Sequence, residues 1–146
     1  MRIDDSFEIQ APIARVWPLL KDIPRVATCI PNAQITEVVD EKTYRAKVGV
    51  KVGPVAVSYA ATIHVDSIDE VTHAATMTVQ GDEIKGRGGV RATIVSQAQD
   101  LGAATHVDLH TDAHISGIVA TIGGRLVESV AKKTIAQFAS NLAALV

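Results

Sequence analysis

The chain has 146 residues, 47% of them apolar and 21% charged, with a net charge of −2 at neutral pH. That is the balance of one globular domain with its own core, and the lack of a basic block excludes an electrostatic footprint for nucleic acid. No run approaches the ~20 apolar residues of a membrane-spanning helix, and a single cysteine, Cys29, rules out an internal disulfide.

Residues 2–10 alternate, with Ile3, Asp5, Phe7 and Ile9 on one side, and predict a first strand that Ala11-Pro12 ends. Ile13 to Lys21 reads as a short helix with Val16, Trp17 and Leu20 on one side. Pro18 lies within its first turns, where proline is tolerated. Asp22 is the expected N-cap of a second short helix, with Pro24 near its start, and Pro31-Asn32 marks the turn after it.

Strands follow. They are expected at Ile35 to Asp40, Thr43 to Val52, Val55 to Ile68, Thr72 to Gln80, Gly89 to Gln99 and Ala103 to Ser116. Glu41-Lys42, Gly53-Pro54, Asp69-Glu70 and Asp100 to Gly102 supply the turns, and Gly81 to Gly89 reads as a mobile loop. From Ser116 to Val146 the apolar positions Val119, Ile122, Leu126, Val130, Phe138, Leu142 and Leu145 recur mostly by threes and fours. This predicts one helix of roughly 40 Å, with Glu128 and Lys132 paired i,i+4. A stripe that long needs a broad partner. The expected fold is therefore α+β, with a curved antiparallel sheet of about seven strands around the long helix, in a single ligand-binding domain spanning 1–146.

Period-2 alternation assigns the concave face. Tyr44, Ala46, Val48 and Val50 share it, then Val55, Val57, Tyr59, Ala61, Ile63 and Val65. His73, Ala75, Met77 and Val79 follow, then Val90, Ala92 and Ile94, then Val107, Leu109, Thr111, Ala113 and Ile115. Within this set His73 is the sole side chain suited to acid–base work near neutral pH, so general acid–base or nucleophilic catalysis finds little support. Alanine recurs at Ala46, Ala61, Ala75, Ala92 and Ala113. Either the helix packs close there, or small side chains keep an apolar cavity open, as ligand sites require.

Other features carry less. His106, Asp108, His110, Asp112 and His114 project from one strand face and could pair on a metal, but the simpler reading is a solvent face. The glycines of Gly81–Gly89 lack the sequence context of a phosphate loop. Cys29 reads as a small buried hydrophobe. Gly123-Gly124 inside a helix costs about 1 kcal/mol per glycine, which suggests close approach, a kink or room for a ligand. Trp17 is expected in the core or as a roof over a cavity.

The order of elements resembles the helix-grip fold of the START/polyketide-cyclase-like (SRPBCC) superfamily. Within it the chain is similar to the CoxG family, the G subunits of carbon monoxide dehydrogenase. The resemblance rests on APIARVWPLLKD at Ala11–Asp22, CIPNA at Cys29–Ala33 and YRAKVGVKVGP at Tyr44–Pro54. It extends through KGRG at Lys85–Gly88 and Ser116-Gly117 to Gln137-Phe138. Asn32 stands where the family usually has glycine.

The resemblance implies a lipid-binding accessory protein with an electron-transfer role, cytoplasmic or peripheral at the inner face of the membrane. Its partner would be a CO dehydrogenase-type molybdenum hydroxylase, and membrane contact would run through a tail absent here. In that reading the cavity binds a quinone, menaquinone or ubiquinone, as a non-covalent ligand. Its walls would come from Trp17, Tyr44, Ala46, Val48, Val57, Tyr59, Ala61, Met77, Val79, Ala92, Ile94, Leu109, Thr111, Leu126, Val130 and Phe138, with no catalytic or metal-binding residue. The alternatives are an assembly or recruitment factor for the dehydrogenase without a ligand, and a cyclase-like enzyme.

Overall fold

The computed structural model describes residues 1–146. Strand β1 (Arg2–Ile9) is followed by helices α1 (Ile13–Lys21) and α2 (Ile23–Thr28). Then come β2 (Ala33–Val38), β3 (Thr43–Val52), β4 (Val55–Asp69), β5 (Ala74–Glu83), β6 (Gly89–Asp100) and β7 (Thr105–Ile115). A 3-10 turn (Val119–Ile122) and helix α3 (Gly124–Ala143) close the chain. The strands form one antiparallel sheet in the order β1-β7-β6-β5-β4-β3-β2, which curves around α3.

Local chemistry explains the joints. Asp22 caps α2 by accepting from the Arg25 N–H at 3.3 Å. Gly53 (φ +58°) with Pro54 makes the two-residue hairpin between paired Val52 and Val55, where a glycine in the first position suits the strand twist. Asn32 takes φ +61°, so asparagine does hold that turn in a left-handed backbone.

The C-terminal helix is shorter than its apolar spacing predicts. It does not run from Ser116 to Val146. Gly117 (φ +83°) and Gly123 (φ +104°) interrupt the backbone, and α3 is a 20-residue helix of roughly 30 Å. The i,i+3 spacing of Val119 and Ile122 fits a 3-10 turn as readily as a helix, and the i,i+4 step to Leu126 bridges the break, which is why it is hidden in the pattern. Gly123-Gly124 therefore marks the helix start rather than a weak interior. Its inward stripe runs through the half-buried Val127, Val130, Thr134 and Ile135 to the buried Phe138 and Leu142, leaving Leu126 39% exposed.

The core is split between ends. At one, Phe138 and Leu142 pack with Ile9, Ala11, Val16, Leu19 and Cys29. Asn141 ties α3 to α2 there by donating to the Cys29 carbonyl at 2.9 Å. At the other, Val52, Val57, Tyr59 and Val119 pack with Val127 and Val130. Trp17 forms a third cluster with Ala98 and Val107. Ala46, Ala61, Ala92 and Ala113 are buried on the concave face yet belong to none of these clusters.

Candidate ligand cavity

Between the packed ends lies a cavity of about 200 Å³ under α3. Strands β5, β6 and β7 supply its floor through Met77, Ile94, Ser96, Leu109 and Thr111. Thr134, Ile135 and Phe138 of α3, and Leu20, Val26 and Ile30 at the α1–α2 end, complete it. The only polar atoms of the lining side chains are hydroxyls. Thr134 donates to the Val130 carbonyl at 2.9 Å, and Ser96 makes a long contact of 3.5 Å to the Ala75 carbonyl. No side-chain polar atom is sealed away without a partner, so the Thr111 hydroxyl, which has none in the chain, opens onto accessible space.

Five of the residues expected at the site line this cavity: Met77, Ile94, Leu109, Thr111 and Phe138. Trp17 flanks it, in the cluster with Ala98 and Val107 against which Leu20 and Leu109 pack, with its indole N–H donating to Glu70 at 2.7 Å. Ala46, Ala61 and Ala92 are buried farther along the sheet, and Val48 and Val79 are half-buried inward positions beside them. Val57, Tyr59 and Val130 belong to the packed far end. Tyr44 lies outside, its hydroxyl donating to the Glu41 carbonyl at 3.2 Å in an exposed groove. Leu126 lines a shallow surface groove with Ile122 and Arg125.

Leu20, Val26, Ile30, Ser96, Thr134 and Ile135 line the cavity without having been expected there. Ser96 was legible, because it continues the alternation Val90, Ala92, Ile94. The α2 contribution was not, since nothing local says that so short a helix turns its apolar side to the sheet.

Two ionisable groups sit differently from expectation. His73 precedes β5 with φ +56° and stacks edge-on against Trp17 at 5.3 Å, away from the cavity wall. Strand β5 runs on to Glu83, three residues past its expected end, and the alternation Ala75, Met77, Val79, Gly81 carries Glu83 onto the concave face. Gly81–Gly89 is therefore not one loop; only 84–88 lies between the strands. The Glu83 side chain is 1% exposed and accepts from Arg87 Nε at 2.9 Å and from the backbone N–H groups of Lys85 and Arg87 at 3.1 Å.

These bonds, led by the Arg87 guanidinium, hold the Glu83 carboxyl down at about 2 from an ordinary 4.5. Burial, reinforced by the Glu83 charge, pushes the Tyr59 hydroxyl up. Because the folded value of Glu83 lies below the unfolded one, its contribution to stability is complete above about pH 4.5 and is lost as pH falls toward 2. Thermal melts from about pH 5 down to about pH 2.5 should show wild type losing more stability than Glu83→Gln; parallel losses would contradict the assignment.

The histidine strand faces outward in pairs. His106 lies 3.1 Å from Asp108 and 3.9 Å from Glu8, and His110 lies 2.8 Å from Asp4. No three such groups converge on a metal-sized site.

Fold and cavity together define a helix-grip protein of the START-like class. The family profile of the carbon monoxide dehydrogenase G subunit (CoxG) matches residues 6–146. The chain belongs to the CoxG family. A conserved protein from Geobacillus kaustophilus is similar, with TM-score 0.88 and 26% identity over 99% of this chain and 93% of that one. The Zhui aromatase/cyclase from Streptomyces sp. R1128 shares the fold at TM-score 0.68 and 14% identity, over 99% of this chain and 92% of its own. A START superfamily protein from Mycobacterium smegmatis does so at TM-score 0.64 and 16% identity, over 99% and 96%. No curated protein sequence matches the chain. No helix is long and apolar enough to cross a membrane.

Proposed function

We propose that this protein is a non-catalytic carrier of a lipophilic quinone, serving a CO dehydrogenase-type molybdenum enzyme and linking it to the membrane quinone pool. The observation that carries the proposal is the cavity wall, which is apolar apart from hydroxyls and holds no titratable side chain. Such a wall offers no general acid or base. It does offer the Thr111 hydroxyl as a donor to a ring carbonyl. Family membership supports the partner.

Size narrows the ligand. A volume of about 200 Å³ exceeds the ~150 Å³ apolar cavity that holds benzene and falls short of the ~300 Å³ of drug-sized pockets. It suits a quinone ring and leaves the isoprenoid chain to follow the buried alanines at Ala92 and Ala113. Reduction of the ring, two electrons and two protons, would be the chemistry of the partner enzyme.

Trp17 is the sole tryptophan and belongs to the cluster against which cavity residues Leu20 and Leu109 pack, so a quinone in the cavity should quench its fluorescence. Titration with a short-chain quinone should give saturable quenching, weakened about two- to tenfold by Thr111→Val. Quenching that rises linearly without saturation would count against a site. An assembly factor with an empty interior would give that result.

A further inference from the structure

The net charge of −2 conceals a segregation that only the fold reveals. At one end of the sheet the turns carry Asp40, Glu41, Asp69, Glu70 and Asp100 against Lys42, and although Lys21 of α1 pairs with Glu70 at 2.8 Å the end keeps an acidic excess. At the other end stand the β3–β4 turn, the β5–β6 loop and the start of α3. There Lys51, Lys85 and Arg125 are exposed and enter no ion pair. Of the acids there, Glu83 is neutralised by Arg87, leaving Asp82.

These three segments abut. The Arg87 carbonyl accepts from Ile118 at 2.8 Å, the Ile84 N–H donates to Ser58 at 2.9 Å, and Gly53 lies against Leu126. Their tips carry exposed apolar side chains, Ile84 at 54% and Leu126 at 39%, beside Pro54. The acidic end also shows apolar tips, Val39, Val71 and Leu101, but its charge would repel an anionic surface.

We propose that the end formed by the β3–β4 turn, the β5–β6 loop and the first turn of α3 docks directly on an anionic lipid surface. Lys51, Lys85 and Arg125 would meet the headgroups, while Ile84 and Leu126 enter the interface. Cations flanking exposed apolar tips are the combination that binds such surfaces. The docking goes beyond quinone carriage and stands whether or not the cavity is filled.

The test is cosedimentation with phosphatidylcholine vesicles, with and without phosphatidylglycerol and free of quinone. Binding is expected to the anionic vesicles alone and to fall as salt rises from about 50 mM to about 500 mM. Reversing Lys51, Lys85 and Arg125 together to Glu should weaken it about tenfold or more. Lys85→Glu should weaken it, while Lys42→Glu, the same charge change at the acidic end, should not. Ile84→Asn should weaken it at constant charge. Absence of binding to the anionic vesicles overturns the proposal and leaves an acidic protein surface as the occupant. Equal binding to neutral vesicles, or equal effects of Lys85→Glu and Lys42→Glu, also overturns it. Because no quinone is present, failure here leaves the carrier reading intact.

Discussion

Gly117→Ala should cost about 3 kcal/mol or more, a large part of the 5–15 kcal/mol that holds a typical domain together. At Gly117 (φ +83°) the backbone passes so close to the β5–β6 loop that a Cβ would lie 1.9 Å from the Arg87 carbonyl oxygen and 2.5 Å from Gly88 Cα. Gly88 meets the Ser116 carbonyl with equal intimacy, at 2.1 Å from where its own Cβ would be. The obstacles are backbone atoms, fixed by the bonds from Ile118 to Arg87 and from Ser116 to Gly89, so no side chain can turn aside. This crossing sets where β7 ends and how the chain enters α3. Gly86 provides the control. It has a comparable φ of +77° but open space around it, so Gly86→Ala should cost only the left-handed strain, about 1–2 kcal/mol. Denaturant midpoints measure both. Equal costs would mean that conformational strain, not the crossing, explains the glycine at 117.

Ser96→Phe should weaken quinone binding roughly thirtyfold while the protein stays folded. Ser96 points into the cavity from β6, and its hydroxyl gives up only a 3.5 Å contact. A phenyl ring there would occupy much of the volume of about 200 Å³ offered to the ligand ring. Losing burial of one ring is worth about 2 kcal/mol, or roughly thirtyfold in affinity. Filling an apolar cavity without strain should leave the melting temperature unchanged or raise it. Wild-type affinity in a folded Ser96→Phe protein would place the binding site elsewhere.

Strand existence was legible wherever side chains alternate between a buried and a wetted face, as along Val55 to Val65. The ends were not, because glycine in a strand looks like glycine in a loop. Gly81 hid the last turn of the β5 pattern, and with it the buried Glu83 and its partner Arg87. The helix start was obscured for a related reason: the step of three from Val119 to Ile122 fits a 3-10 turn as well as an α-helix, and the positive φ of Gly123 is not visible in the step of four from Ile122 to Leu126. The cavity floor could be read from alternation at Met77, Ile94, Leu109 and Thr111. Its far wall comes from Val26 and Ile30, whose facing depends on tertiary packing of α2. The charge segregation is likewise invisible along the chain, since antiparallel connections send alternate turns to opposite ends of the sheet.

Native mass spectrometry of protein purified without detergent, followed by organic extraction, tests the carrier reading most directly. A bound species with the mass and ultraviolet spectrum of a quinone is expected, or its uptake on incubation, with both diminished in Ser96→Phe. A wild-type protein that remains ligand-free after incubation with quinones would contradict quinone carriage.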